Sequence, residues 1–202
     1  MVYATSGTII DAVQTTFESD HSVGLAFFFF TFSEPEKQTV SSMLTALVSQ
    51  LFLRLAHTPE DLKTLYTRTP GTPPKLATLL KLFNTLLKEF SRTFIVLDAL
   101  DEVAVHERDT LLRVLHQMHD PSFGNMNTLL TSRREHYVLE GLSSLSIPEV
   151  TMNTQVVDLD ICSFVSEILM VDPKFKKWDS SVKADIETAL VNGANGMYVH
   201  HL

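Results

Sequence analysis

Two strong apolar runs and two weaker ones predict the strands of this chain. Residues 25–32 and 94–97 are almost purely apolar, which is typical of strands buried on both faces of a parallel sheet. Residues 127–131 predict a third strand. Residues 145–150 predict a further short strand, which Pro148 restricts to an edge or an end of the sheet.

Apolar residues that recur every three or four positions predict helices between and after these strands. The helical patterns cover residues 8–17, 40–55, 60–66, 76–90, 107–119 and 182–191, with another that starts at Asp158. Residues 69–74 are rich in proline and predict a surface linker. Helices therefore separate the first three predicted strands, and helices alone follow the fourth to the end of the chain.

This order of elements predicts an α/β protein with a parallel sheet. A strand–helix–strand unit of this length joins parallel neighbours through a right-handed crossover. A chain of 202 residues suits one domain with a small appendage. We predict an α/β domain over residues 1–157 and the beginning of a helical appendage over residues 158–202.

Composition excludes several classes of function. The net charge of −8 disfavours a nucleic-acid partner, because neutralising phosphates requires a basic surface. A single cysteine, Cys162, excludes an internal disulfide framework and a cysteine-based zinc site. The longest apolar run is too short to span a bilayer, and no signal peptide is recognisable. We expect a cytoplasmic protein without a membrane partner.

The acidic residues after the second apolar run carry the clearest chemistry. Asp98 follows four apolar residues directly, and ligands of parallel sheets bind at the carboxyl ends of strands. A carboxylate there can hold magnesium directly or through water. Asp101 and Glu102 follow one turn later, close enough to orient a water for attack on a phosphate.

The remaining polar clusters suggest no competing site. His116, His119 and Asp120 lie near one predicted helix end, but zinc sites require more ligands, and exposed helix positions explain these residues. No catalytic Ser–His–Asp or Cys–His arrangement can be defended from the sequence alone, because such catalytic sites are recognised by the relative positions of their side chains.

Several stretches, in this order, resemble the NACHT domain of the nephrocystin-3-like N-terminal type. They are Gln38-Thr39-Val40, residues 95–102, Leu129-Leu130-Thr131-Ser132-Arg133-Arg134-Glu135 and Ala194-Asn195-Gly196-Met197-Tyr198. The resemblance implies a three-layer P-loop NTPase-like fold with Mg and ATP or GTP as cofactors. Asp98 then resembles the Walker B magnesium ligand, and Asp101 and Glu102 resemble the catalytic acids. Arg133 resembles the sensor that reaches the terminal phosphate, which a guanidinium fork matches.

One part of the family pattern is missing. The Walker A loop ends in Gly-Lys-Ser or Gly-Lys-Thr and cradles the phosphates, and no such motif occurs in the chain. Counting back from residues 8–11, the lysine falls at Val2 and the hydroxyl residue at Tyr3; Ser6-Gly7 is no specific remnant. We expect a chain that begins inside the first helix and lacks the first strand. Residues 145–150 would then lose their neighbour, and the isolated chain would be marginally stable and bind nucleotide weakly or not at all.

The resemblance implies a fragment of a nucleotide-dependent signalling switch, of the kind found in fungal NOD-like receptor and heterokaryon-incompatibility proteins. Its expected partners are other NACHT modules, and the effector and repeat domains of such proteins are absent from these 202 residues. Two alternatives remain. The chain could be a non-enzymatic pseudo-NTPase that acts on intact relatives, or a degenerate gene product.

Overall fold

A computed structural model describes residues 2–55, 74–145, 147–150 and 154–194, with side chains described for 6–55, 74–145, 147–150 and 162–190. Two compact units divide the chain, Val2–Ile147 and Pro148–Leu202. The described part of the first unit combines a parallel sheet with helices, and that of the second is helical. The predicted α/β class is therefore confirmed.

In the first unit the described strands are β1 (Val23–Phe29), β2 (Arg92–Asp98) and β3 (Met126–Leu130). The described helices of this unit are α1 (Val2–Thr16), α2 (Val40–Arg54), α3 (Leu76–Leu87), α4 (Arg108–Met118) and α5 (His136–Leu142). These bounds lie close to the predicted ones, except that α1 begins well before residue 8 and that α5 was not predicted. The strand order is β1-β2-β3 and both pairings are parallel.

The central strand β2 pairs along its whole length with β1, from Val23 opposite Arg92 to Phe29 opposite Asp98. On its other side, Thr93 is opposite Met126 and Leu97 is opposite Leu130. All three strands run in one direction, so their carboxyl ends meet at the same edge of the sheet. That edge carries Asp98 and the residues that follow each strand.

The two faces of the sheet are covered differently. Alternating residues such as Phe28, Ile95 and Leu97 belong to a large core with the apolar faces of α2, α3 and α4. The intervening residues, such as Leu25 and Val96, pack with Ile10 of α1 in a smaller cluster. This arrangement follows from the two-residue period of strands, and it places helices on both faces of the sheet.

Helix α2 shows how local sequence sets an element of the core. The hydroxyl of Thr39 accepts a hydrogen bond from the Ser42 amide, which caps the helix start. The apolar stripe that the sequence predicts for this helix is buried. Within α2 it consists of Val40, Met43, Leu44, Leu47, Val48 and Leu51. A Cβ on Gly24 would lie 3.1 Å from both the Leu51 side chain and the Phe90 ring, so glycine lets β1 pack closely against them without displacing either.

The prediction of a strand at residues 145–150 is wrong for the residues of this segment that the structure describes. Residues 147–150 have no regular structure and are exposed, and the Leu145 amide closes a turn onto the Leu142 carbonyl at 2.9 Å. Pro148 has no amide to donate to a strand. Residues 60–66, most of the predicted 69–74 linker and residues 195–198 lie outside the described part of the chain.

The second unit contains α6 (Thr154–Val171) and α7 (Ser180–Ala194) among its described residues. The Cys162 thiol donates to Glu187 Oε1 at 2.8 Å, joining the two helices, and this hydrogen bond raises the pKa of Cys162. Between the helices, the Phe175 and Trp178 rings pack with centroids 4.9 Å apart. No helix in the described part of either unit has the length and apolar character needed to cross a bilayer.

Candidate functional site

The carboxylate of Asp98 is fully buried at the carboxyl end of the central strand. Its Oδ1 atom accepts two hydrogen bonds, from Ser6 Oγ at 2.6 Å and from Thr131 Oγ1 at 2.5 Å. Its Oδ2 atom is buried and has no hydrogen-bond partner in the described part of the chain. A buried acceptor without a partner is costly, and this oxygen keeps the lone pairs that a ligand would use.

Thr131, the residue directly after β3, fixes the conformation around this carboxylate. Its hydroxyl donates to Asp98 and accepts a hydrogen bond from the Ala99 amide at 3.1 Å. Its carbonyl accepts from the Leu100 amide, and its own amide donates to the Leu97 carbonyl, each at 3.0 Å. The end of β3 therefore holds both sides of the turn that follows Asp98.

Ala99 adopts a left-handed backbone conformation, with φ +57° and ψ +51°. An L-residue with a Cβ atom is strained there by about 1–2 kcal/mol. The left-handed residue turns the chain away from β2 and begins the short 3-10 turn Leu100–Glu102. This reversal places Asp101 and Glu102 beside the ends of the neighbouring strands.

We expect Ala99→Gly to stabilise the protein by about 0.5–1 kcal/mol, because relief of the left-handed strain exceeds the added entropy of the unfolded chain. Chemical denaturation followed by circular dichroism measures the effect. Ala104→Gly is the matched control, since Ala104 has φ −57° and glycine relieves no strain there. Equal destabilisation by both substitutions would contradict the strain argument.

Asp101 is paired with Arg133, the residue predicted to sense the terminal phosphate. Arg133 Nε donates to Asp101 Oδ2 at 2.5 Å, and the Arg133 amide donates to Oδ1 at 3.0 Å. The Asp101 side chain is 3% exposed and that of Arg133 is 50% exposed. This hydrogen bond raises the pKa of Arg133 above its ordinary value, so the guanidinium stays charged.

Glu102 connects the turn to the other neighbouring strand. Its Oε2 atom accepts a hydrogen bond from the Phe32 amide at 3.0 Å, in the loop that follows β1. The three predicted acids thus have different partners, with Asp98 bound to α1 and β3, Asp101 to the β3 loop and Glu102 to the β1 loop. They meet at one edge of the sheet, as the parallel topology requires.

Helix α5 contacts the turn formed by Leu100–Glu102, which is called the acidic turn below. The Tyr137 hydroxyl donates to the Leu100 carbonyl at 2.8 Å, and burial raises the pKa of this phenol. The Arg108 guanidinium lies 4.0 Å from the centre of the Tyr137 ring, a favourable cation–π contact. His116 contacts the Gly141 carbonyl at 2.8 Å and so joins α4 to α5, a structural role rather than a metal-binding one.

The sequence alone assigned no function to Ser6 or Thr131, the described residues whose side chains donate hydrogen bonds to the Asp98 carboxylate. Ser6 lies four positions before Ile10, whose side chain packs on the sheet, so helical spacing places both on the same face. Thr131 follows β3 at the edge where β2 ends in Asp98. The helical spacing of Ser6 and Ile10 could have identified Ser6. The parallel register of β2 and β3 could have identified Thr131.

Comparison with known proteins finds a matching family model. The family model described as nephrocystin 3, N-terminal, matches residues 4–133, which is more than half of the chain. The matched segment runs from α1 to Arg133 and includes Ser6, Asp98, Asp101 and Glu102. No curated protein and no solved structure gives a significant match. The chain belongs to the nephrocystin 3 N-terminal family.

Proposed function

We propose that the chain is part of a NACHT-type, P-loop NTPase-like switch that responds to ATP or GTP with magnesium. The observation that carries the proposal is the buried, unpartnered Oδ2 of Asp98 at the carboxyl end of the central parallel strand. Parallel sheets bind ligands at that edge. The membership of the chain in the nephrocystin 3 N-terminal family supports the same assignment.

One buried carboxylate oxygen would serve the magnesium half of such a ligand, while the described residues contain no group of three His, Cys, Asp or Glu that could hold a metal ion by itself. Ser6 and Thr131 occupy Oδ1 of Asp98 and leave Oδ2 for a hard cation, which prefers carboxylate oxygens. When bound, magnesium would supply positive charge against the phosphates of the nucleotide. The side chain of Asp98 would hold the ion, and the two hydroxyls would keep its carboxylate in one orientation.

Asp101, Glu102 and Arg133 take the remaining roles in this proposal. Asp101 and Glu102 orient the attacking water, and Arg133 approaches the terminal phosphate. Half of the Arg133 side chain is exposed, so its guanidinium can reach an anion as well as Asp101. If Arg133 exchanged between Asp101 and a phosphate, the conformation of the acidic turn would depend on the nucleotide that is bound. A ligand shifts a conformational equilibrium when it contacts one state more favourably than the other.

The phosphate half of the site is not supplied by this sequence. No Gly-Lys-Ser or Gly-Lys-Thr occurs among the 202 residues, so no P-loop lysine is present to neutralise the phosphates. The proposal therefore includes weak nucleotide binding by these residues alone. It assigns them the cation and sensor side of a cytoplasmic signalling module, such as those of fungal non-self recognition and programmed cell death.

We expect Mn²⁺, used as a spectroscopic substitute for magnesium, to bind the purified chain weakly and in an Asp98-dependent manner. Electron paramagnetic resonance of free Mn²⁺ measures binding to the native chain, to Asp98→Asn and to Asp109→Asn. Asp109 is an exposed acid on α4 and is the matched control. At least about a tenfold weaker affinity is expected for Asp98→Asn alone, the loss of one direct ligand.

Two results would overturn the proposal. Equal Mn²⁺ affinities of Asp98→Asn and the native chain would remove Asp98 as the cation ligand. Calorimetric titration with ATP–Mg or GTP–Mg tests the other half, because micromolar binding would show that the phosphates are held without a P-loop lysine.

The second candidate function is a non-enzymatic pseudo-NTPase that pairs with intact relatives. The observation that favours it is the ion pair of Arg133 with Asp101, which engages the predicted sensor within the chain itself. Co-expression with an intact family member and co-purification tests this function. If the chain failed to co-purify and also showed no Asp98-dependent Mn²⁺ binding, the remaining interpretation would be a degenerate gene product.

A further inference from the structure

Residues 172–179, called the lysine turn below, join α6 to α7 in the second unit. All the lysines of this unit lie at positions 174–183, and the unit contains no arginine. Lys174, Lys176 and Lys177 are exposed, and none of them forms an ion pair with another described residue. Because the chain has a net charge of −8, the lysine turn is a local concentration of positive charge on an acidic protein.

The two aspartates of the lysine turn are bound to main-chain amides. Asp172 Oδ1 accepts a hydrogen bond from the Lys174 amide at 2.9 Å, and Asp179 Oδ1 accepts one from the Ser180 amide at 2.8 Å. These carboxylates therefore hold the backbone of the turn and do not pair with its ammonium groups. The lysine side chains stay available to an anion from outside the chain.

Exposed apolar side chains lie beside these lysines. Met170 and Val171 end α6 and are 74% and 68% exposed. Trp178 is partly exposed, and its ring packs on Phe175 with centroids 4.9 Å apart. The Phe175 amide donates to the Asp172 carbonyl and the Trp178 amide to the Phe175 carbonyl, each at 3.1 Å. A hydrogen-bonded turn thus presents aliphatic, aromatic and cationic side chains to solvent together.

We propose that the lysine turn binds the surface of bilayers that contain anionic lipids. Exposed apolar groups with a polar rim mark interaction sites. Tryptophan favours the boundary between headgroups and acyl chains, and lysine binds anionic headgroups there. Met170, Val171 and Trp178 enter this boundary, while the lysines contact the charged headgroups.

The local charge of the turn decides this binding more than the net charge of the chain. Each lysine near an anionic surface adds attraction, and the attraction fades over a Debye length of about 10 Å. Acidic residues of the first unit are therefore screened when they lie further from the bilayer than this distance. Binding at a bilayer surface needs no membrane-spanning segment, so it does not depend on the features whose absence led us to expect no membrane partner.

The exposed side chains favour a lipid surface over a nucleic acid. Single strands bind proteins by stacking their bases on exposed aromatic rings, and this contact makes no use of aliphatic side chains. In the lysine turn Phe175 is half-buried and packs on Trp178, whereas Met170 and Val171 are largely exposed. A bilayer provides an apolar environment for these two aliphatic residues, and a nucleic acid does not.

Trp178 is the single tryptophan of the chain, so its fluorescence reports directly on the lysine turn. The test titrates the 202-residue chain with vesicles of equal parts phosphatidylserine and phosphatidylcholine. We expect a blue shift of the emission and quenching by lipids brominated in their acyl chains. Vesicles of phosphatidylcholine alone should give neither effect, and added salt should weaken binding to the anionic vesicles.

The lysines are tested by a triple substitution of Lys174→Gln, Lys176→Gln and Lys177→Gln. Its affinity for the anionic vesicles should fall at least about tenfold, because each lysine contributes to the attraction. The control makes the same change at three exposed lysines of the first unit, Lys75, Lys81 and Lys88. This control loses the same net charge and should keep the native affinity within about twofold.

A second pair of variants tests the apolar side chains. Val171→Asp places a carboxylate where the chain is proposed to enter the bilayer, which is costly. Val105→Asp makes the same change at an exposed valine of the first unit and is the matched control. Only Val171→Asp should abolish the blue shift. Both valines are exposed, so both variants are expected to fold, which far-ultraviolet circular dichroism checks.

A native chain whose Trp178 emission does not change with the anionic vesicles would overturn the proposal. Equal losses from the two triple substitutions would also overturn it, since net charge and not the lysine turn would then drive binding. An equal blue shift with poly-glutamate or with a single-stranded oligonucleotide would assign the turn to an acidic protein or to a nucleic acid instead.

Discussion

Leu51→Ala is expected to lower the free energy of unfolding by about 2–5 kcal/mol, because it opens a cavity in the main core. Leu51 is fully buried on the sheet-facing side of α2. Its side chain lies over Gly24 of β1, where close packing leaves neighbouring atoms little freedom to fill a cavity. The lost free energy has two parts: the transfer free energy of the removed apolar atoms and the cost of the cavity that remains.

Leu53→Ala is the matched control for this prediction. Leu53 lies two residues further along the same helix, and 81% of its surface is exposed. Its substitution should change stability by no more than about 0.5 kcal/mol, since it removes no core contact. Urea denaturation followed by far-ultraviolet circular dichroism measures both variants, because the single Trp178 reports on the helical unit instead. Similar losses for the two leucines would show that α2 does not pack as described.

Thr131→Val is expected to cost about 2–3 kcal/mol, because it removes a hydrogen bond to a carboxylate and leaves a main-chain amide unpaired. Valine has nearly the same shape as threonine, so the change tests the hydroxyl and not the packing. That hydroxyl donates to Asp98 at 2.5 Å and accepts from Ala99 at 3.1 Å. Thr131→Ser restores both hydrogen bonds and should recover most of the loss.

A double-mutant cycle with Asp98→Asn separates the two hydrogen bonds of Thr131. If the hydroxyl acts mainly through the carboxylate, Thr131→Val should cost clearly less in the Asp98→Asn background. Asp98→Asn alone is expected to cost about 1–3 kcal/mol, since its amide nitrogen would take the place of Oδ2 as a buried donor without a described acceptor. The coupling between the two substitutions, and not the loss from either one, is therefore the quantity that the cycle measures.

Much of the α/β unit was predictable because burial follows hydrophobic periodicity. The stripe of α2 and the apolar runs of β1 and β2 all occupy the core. The weakest apolar pattern gave the error, since residues 145–150 form no strand in the described part. Their isoleucine and valine are exposed, and sequence alone does not show whether a sheet is available to pair with such a segment.

For the candidate site, only the positions of its residues can be compared with the structure, and their roles stay predictions. The acids at 98, 101 and 102 were identified because a buried apolar run ends directly in them. The pairing of Arg133 with Asp101 was not predicted, since it depends on the distance between two loops that follow adjacent strands. The contact of Ser6 with Asp98 spans 92 positions of sequence, which no local pattern reports.

The sequence by itself determined the class of fold, the central strand and the positions of the acidic residues, because local spacing of apolar and polar side chains carries that information. Only the tertiary structure decided which hydroxyls bind Asp98 and which acid binds Arg133. These features depend on the register of the parallel strands and on the rotation of α1 about its axis. Both are set by packing between segments that are distant in sequence.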